Sequence, residues 1–397
     1  MINEFPAIRL QVPAAKSLVP AGRLRASAPM HYLFMMLDHF TAGGFLMSLS
    51  ADRRALHRIP ELDWQLPETA AYLRARLAAL PCRVFSPCGD AVCAYFDFGA
   101  AQTVAFRSDM DALPVTEQTG LPFASQHPGK MHACGHDGHM AMLLALADYV
   151  ALHKQSRNVL LIFEPAEETT GGAEPICRTG LLETYRVCEI YGLHLWPELP
   201  AGVVASRAGG LMSRSCELTA EITGKSVHIA RWRDGCDALE AGMHLISSLY
   251  GLSEQHACIL RFGRMESGTV RNAVSDHTRL EGTLRCLEDA EFFAVRGALD
   301  GIAAQIASET GCNITIHCSE GYPPVTNDAA LLARARARFP IAEATPTAIT
   351  EDFSAYQARV PGVFFWLGTG GAPLHSPKFD FDEAVLARGA ELYQLLL

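Results

Sequence analysis

Between Ala51 and Leu80 the apolar positions Leu56, Tyr72, Leu73, Leu77 and Leu80 recur at near-helical spacing, which predicts helix interrupted at Pro60. Short apolar runs follow at Ala91–Phe98, Thr103–Phe106, Val159–Glu164 and Ile190–Leu195. The last three are β-rich and are separated by helix-like segments. Met140 to His153 reads as a strongly apolar helix, rich in Ala and Leu. Each of these three strands ends where a polar motif begins. Such an order predicts an open α/β sheet whose ligands gather at the strand ends.

The pattern changes near Gly209. Cys216–Thr223 and Thr278–Cys286 alternate as half-exposed strands, and Asn313–Cys318 is a further strand. Asp237–Tyr250 reads as an amphipathic helix and Ala290–Glu309 as a second long one. A β-α-β-β-α-β order predicts a small ferredoxin-like α+β sheet with two helices on one face. Helix and strand then return at Leu331–Phe339, Ser354–Arg359, Val363–Leu367 and from Asp382 onward. One domain inserted within another explains this order better than two in tandem. The expected division is a leader over 1–46, a main α/β domain over 47–210 and 321–397, and a satellite over 211–320.

In the leader, Pro6, Pro13, Pro20 and Pro29 break any helix, and Ile2 to Ala28 shows no sustained period. Met30 to Leu46 is apolar but carries His31, Asp38 and His39, so its uncharged runs fall short of a membrane span. The run from Tyr32 to Leu37 ends at Asp38 with no clear cleavage site, a poor signal peptide. The leader is expected to be poorly ordered, an upstream start on a chain that naturally begins near Met47.

At 397 residues, 49% hydrophobic and 19% charged, the composition is that of a globular chain large enough for two domains. A net charge of −10 offers no basic footprint for nucleic acid or anionic lipid. Twelve cysteines, with no CxxC pair, read as reduced and mostly buried thiols in a reducing compartment, hence a cytoplasmic protein.

The chemistry is concentrated at His132-Ala133-Cys134-Gly135-His136-Asp137-Gly138-His139. Imidazole, thiolate and carboxylate are the donors that divalent transition metals take. Cys134 and His136 sit two apart on a turn that Gly135 keeps tight, so both can face one ion. The plainer reading is a helix start capped by Asp137 with solvated histidines. Glu167 and Glu168 follow Val159–Phe163 and Pro165; such a pair can divide labour, one ligating and one holding a proton, or form a solvated acidic turn. His194 ends an apolar strand, where a lone histidine is more often a satisfied core residue. His375 lies in a Gly-rich loop without the Lys and immediate helix of a phosphate site. Together these groups supply ligands for a two-metal site and a spare carboxylate to act on water, which points to a metallohydrolase.

With these motifs in hand, the sequence resembles the M20 metallopeptidase family, in its aminoacylase-like amidohydrolase branch. The resemblance runs from about Arg53 to the C-terminus. It rests on Arg54-Ala55-Leu56-His57-Arg58-Ile59-Pro60-Glu61-Leu62, Arg107-Ser108-Asp109-Met110-Asp111-Ala112-Leu113-Pro114, the His-Cys cluster, Pro165-Ala166-Glu167-Glu168, Gly192-Leu193-His194-Leu195-Trp196-Pro197 and Glu351-Asp352-Phe353-Ser354. It implies a catalytic domain with two divalent metals, Mn or Zn first and Co or Ni next, interrupted by a satellite that usually makes a homodimer. The implied ligands are Cys134, His136, Glu168, His194 and His375. Glu167 would be the general base that deprotonates a metal-bridging water and then protonates the leaving amine, with Asp109 and Asp111 orienting ligands from behind. In the satellite, Gly224-Lys225-Ser226-Val227-His228 and Gly268-Thr269-Val270-Arg271-Asn272 match, so His228 would steady the oxyanion, often across a dimer, and Asn272 a substrate carboxylate.

The family's Gly-Gly-His-Ala-Ala becomes Ser226-Val227-His228-Ile229-Ala230, followed by Arg231-Trp232-Arg233, and Asn-Val-Ile-Pro becomes Asn272-Ala273-Val274-Ser275. These departures bear on substrate preference and leave the metal ligands intact. The expected activity is hydrolysis of a small N-acyl amino acid to a carboxylate and a free amino acid. A dipeptidase or aminopeptidase is the alternative within the class. A thiol hydrolase using Cys134 with His132 or His136 leaves Glu167, Glu168, His194 and His375 without roles, and a non-catalytic binding protein leaves the whole set idle.

Overall fold

The computed structural model describes residues 42–397. The expected leader therefore lies outside the described residues over 1–41, and helix α1 (Ala42–His57) begins inside the segment assigned to it. The helical stretch predicted around Pro60 is two helices. The second, α2 (Pro67–Leu77), carries proline in its first turn, where a missing N–H costs nothing.

The strands of the main domain begin with β1 (Arg83–Phe85), β2 (Val92–Phe96) and β3 (Thr103–Asp109). Helix α3 (His136–Leu152) leads to β4 (Asn158–Glu164); α4 (Ala173–Arg178) and α5 (Leu181–Thr184) lead to β5 (Val187–Trp196), β6 (Val204–Ser206) and β7 (Gly209–Met212). The inserted portion is β8 (Arg214–Thr223), α6 (Ala238–Gln255), β9 (Cys258–Ser267), β10 (His277–Cys286), α7 (Asp289–Thr310) and β11 (Asn313–Cys318). The chain returns through β12 (Val325–Asn327), α8 (Ala329–Arg336), β13 (Ala342–Glu343), α9 (Ser354–Gln357), β14 (Gly362–Gly368) and α10 (Leu386–Leu396).

The main sheet has eight strands in the order β1-β2-β4-β3-β5-β14-β6-β13. Its centre, β4-β3-β5-β14, is parallel, while β1, β2 and β6 pair antiparallel to their inner neighbours. Every residue of β3, β4 and β14 is buried. That is why these strands read as continuous apolar runs: a parallel sheet is covered on both faces. One face packs on α2, α3 and α10, the other on α4 and α9.

The satellite sheet is wholly antiparallel, in the order β11-β8-β10-β9, with β8 and β10 alternating between a buried and a more exposed face. Helices α6 and α7 cover the buried face. The fold is thus a mixed α/β sheet interrupted by an α+β unit, as the hydrophobic pattern predicts. Among the described residues no helix is long and apolar enough to cross a membrane.

Candidate metal centre

The four central parallel strands end on one edge, where open α/β sheets bind ligands. Asp109 ends β3, Glu167 and Glu168 follow β4, His194 lies near the end of β5, and His375 follows β14. Cys134 and His136 reach the same edge at the start of α3. Gly135 makes that start: its φ is +89°, and an added Cβ would lie 2.8 Å from a Leu195 methyl.

His136 is buried, and its Nδ1–H donates to the Asp111 carbonyl at 2.7 Å. His194 Nδ1–H likewise donates to the Leu195 carbonyl at 2.7 Å. Both rings are thereby fixed with Nε2 as the free nitrogen. Burial lowers both imidazoles, His194 to about 3, so each keeps its lone pair. His194 Nε2 lies 3.4 Å from Cys134 Sγ, and His375 Nε2 lies 3.5 Å from the same sulfur and 3.5 Å from Glu168 Oε1. Glu168 Oε1 is 3.8 Å from His136 Nε2.

These five groups converge on one space. Within it, His136 Nε2 and Glu168 Oε1 are buried without a hydrogen-bond partner. Buried polar atoms are almost always satisfied, and thiol, imidazole and carboxylate donors facing one another are the set a divalent transition ion satisfies. The residues fit such a group. His139, next in the cluster, is used otherwise: Nδ1–H donates to Asp109 Oδ1 at 2.6 Å, and Nε2 accepts the Leu195 N–H at 2.9 Å.

Glu167 and Glu168 sit on a strained turn. Ala166 has φ +63°, a conformation costly for a residue with a Cβ. The turn is held by the Asp111 carboxylate, which accepts both the Glu167 N–H at 3.0 Å and the Glu168 N–H at 3.1 Å. Asp111 therefore orients His136 through its carbonyl and the acidic pair through its side chain. Asp109 bonds His139, and its Oδ2 stands 3.7 Å from His136 Nε2.

Behind Glu167 lies a buried charge network with Arg107 at its centre. The Arg107 guanidinium reaches Glu164 at 2.8 Å, Asp352 at 2.8 Å, Glu351 at 3.0 Å and Asp109 at 3.0 Å. Oxygens of Glu167, Glu351 and Asp352 gather within 4.8 Å of one another. Burial and the charges of Glu351, Glu168 and Asp352 push the Glu167 carboxyl well above its ordinary range. Burial likewise raises the Cys134 thiol, with Glu168 and Glu167 adding to the effect, which is the wrong direction for a thiol nucleophile.

A cavity of about 570 Å³ opens onto this cluster and includes Cys134, Glu167, Glu168, His194 and His375 in its lining. Arg285, Tyr322, Met212 and Ile349 complete part of its wall. None of these four stands out in the sequence. Arg285 is one residue of an alternating strand, and only the placement of β10 beside the main domain brings it to the cleft. His228 and Asn272 do not line this cavity. They are exposed neighbours in the satellite, joined by the Ile229 N–H donating to the Asn272 carbonyl at 3.0 Å.

An α/β sheet with thiol, imidazole and carboxylate donors on its carboxyl edge, beside a raised carboxylic acid, is the architecture of a metal-dependent hydrolase. The chain belongs to peptidase family M20/M25/M40, whose sequence profile matches residues 105–397. It is 34% identical over 359 residues to an N-acetyldiaminopimelate deacetylase of Limosilactobacillus fermentum, covering 85% of this chain and 94% of that protein. A deacetylase of the same description from Shouchella clausii is 36% identical, with 85% and 94% covered. Among solved structures, the Bacillus subtilis YxeP protein, a dinuclear metal-binding peptidase of the M20 family, superposes with a TM-score of 0.80. It is 31% identical, and the match covers 89% of this chain and 97% of that one.

Proposed function

We propose that this protein is a cytoplasmic amidohydrolase that removes the acyl group from a small N-acyl amino acid, with N-acetyldiaminopimelate the first substrate to test. The observation that carries the reading is the pair of orphaned atoms, His136 Nε2 and Glu168 Oε1, facing Cys134 beside the raised Glu167 carboxyl. Cys134, His136, Glu168, His194 and His375 would hold two divalent ions, Mn or Zn first. When bound, the ions supply Lewis acidity toward the acyl oxygen and toward water.

The chain's own residues do the rest. Glu167 takes a proton from the attacking water and delivers it to the departing nitrogen; its buried, acid-rich surroundings favour the protonated form that the second step requires. Asp111 holds the Glu167–Glu168 backbone in register for both tasks. Arg285 in the cleft wall suits the substrate carboxylate. We propose the domain division at about 211 and 320, a reading supported by the satellite strands running from Arg214 to Cys318. We further propose that two copies pair through the satellite, so that the exposed His228 and Asn272 serve the cleft of the partner copy.

The test is metal content together with hydrolysis of an N-acyl amino acid and dipeptide panel before and after chelation. The reading expects about two ions per chain, activity lost on chelation and restored with metal, and N-acyl amino acids cleaved in preference to dipeptides. Preferential dipeptide cleavage moves the assignment to a peptidase, and chelator-resistant hydrolysis overturns the mechanism.

A further inference from the structure

The satellite sheet carries one cysteine on each strand: Cys318 on β11, Cys216 on β8, Cys286 on β10 and Cys258 on β9, in the order of the strands. The registers put all four on one face. Leu284 opposes Cys216, Leu218 opposes Cys318, and Cys286 directly opposes Cys258. Cys216 is therefore displaced by two residues from both of its cysteine neighbours across the sheet, whereas Cys258 and Cys286 are true cross-strand partners.

The geometry of that one pair is specific. The Cys258 N–H donates to the His256 carbonyl at 2.8 Å, away from Cys286. The pair is then of the type that does not exchange ladder hydrogen bonds, in which opposing Cα atoms approach to about 4.5 Å. A disulfide spans Cα separations of about 4.4–6.8 Å. The diagonal pairs, with spacings of about 7–8 Å, need backbone movement to close. Cys286 is fully buried against α6 and α7, while Cys258, at the start of the edge strand, is only half-buried and offers a small reagent access.

We propose that Cys258 and Cys286 are a redox modification site, closing to a reversible cross-strand disulfide in the presence of a low-molecular-weight disulfide. Burial raises both thiols, Cys286 to about 12, so the exchange runs through the small thiolate fractions that mildly alkaline buffer supplies. The Cys258 thiolate attacks one sulfur of the reagent and expels the first small thiol. The Cys286 thiolate then attacks the mixed disulfide at Cys258 and expels the second, so two electrons pass from the protein pair to the reagent. The bond ties the edge strand β9 to β10 one residue from Arg285, whose guanidinium lines the cleft and donates to the Ala348 carbonyl at 2.9 Å.

The experiment treats the folded full-length chain with glutathione disulfide, blocks remaining thiols by alkylation, and maps the peptides by mass. A Cys258–Cys286 linked peptide that disappears on reduction is expected, both in the natural chain and in a Cys216→Ser, Cys318→Ser double variant that removes the neighbouring thiols. Recovery of both cysteines alkylated, capped by glutathione, or linked to other cysteines overturns the proposal. Because the natural chain itself is mapped, a folding defect in the double variant does not mask the result.

Discussion

Asp111 shows how one buried residue organises two kinds of group. Its carbonyl fixes the His136 ring, and its carboxylate accepts two successive backbone N–H groups from the Glu167–Glu168 turn. In Asp111→Asn, one of those N–H groups faces an amide NH₂ and loses its acceptor. The expected outcome is a 10–100-fold loss of metal affinity or of kcat/KM, the range typical of residues that orient ligands, measured by competition with a chromogenic chelator and by steady-state hydrolysis. Glu167→Gln separates catalysis from binding more cleanly, since glutamine keeps the shape and loses the proton carrier. kcat should fall by about 10²–10⁴-fold with metal content unchanged. Metal lost in parallel with activity would make Glu167 a ligand rather than a base.

At the level of elements, the parts written into local periodicity are the ones the sequence discloses. The strands Val159–Glu164 and Asn313–Cys318 stand at or within one residue of where their apolar patterns place them. Helix α3 is displaced: its pattern begins at Met140, but the helix begins at His136. The first turn is polar in sequence yet buried, because Asp137 is partnered by Arg53 and His57, and His139 by Asp109. Strand β9 is invisible to alternation, since an edge strand bearing Arg261, Arg264 and Glu266 has few buried positions. The Arg107 network is illegible for a different reason. Its members lie on β3, at the end of β4 and before α9, and only the strand order joins them. Arg107→Leu tests that junction, because breaking a buried charge set by removing one partner costs about 3–5 kcal/mol. Burial already raises Glu164 to about 8 and Glu351 and Asp352 to about 7, against the pull of Arg107. The stranded carboxylates can therefore take protons in acid, and urea midpoints should show a larger deficit for the variant at pH about 8 than at pH about 5. An equal deficit at both would mean that the guanidinium acts through packing alone.

For the whole molecule, the buried titratable groups pull stability in opposite senses in acid, where the lowered imidazoles of His132, His136 and His194 oppose folding, and above about pH 6.5 the raised groups prevail. Burial pulls His57 down, but the hydrogen bond and charge of Asp137, aided by Glu117, outweigh it and raise the imidazole to about 9. A histidine raised in the folded state adds stability that is complete below its unfolded value near 6.5 and is lost as pH climbs through about 9. The raised carboxyls of Glu164, Glu351 and Asp352 act in the same sense. They hold protons in the fold that the unfolded chain has already released, so stability falls as pH rises from about 4 toward 8. Glu117, lowered to about 2 by His57 and by hydrogen bonds from Ser125 and Thr119 that overcome its burial, removes stability only in strong acid. Between pH 6.5 and 9 His57 and the raised carboxyls act together against the lowered imidazoles of His132, His136 and His194, whose cost is mostly relieved by pH about 7. His57 alone accounts for a loss on the order of 3 kcal/mol and prevails. Urea unfolding in the presence of chelator, which removes the separate pH dependence of metal binding, should give a lower midpoint at pH 9 than at pH 6.5. His57→Gln should flatten that slope while lowering the midpoint at pH 6.5. A slope unchanged by the substitution would place the titrating charge elsewhere and leave the contact between α1 and α3 as packing only.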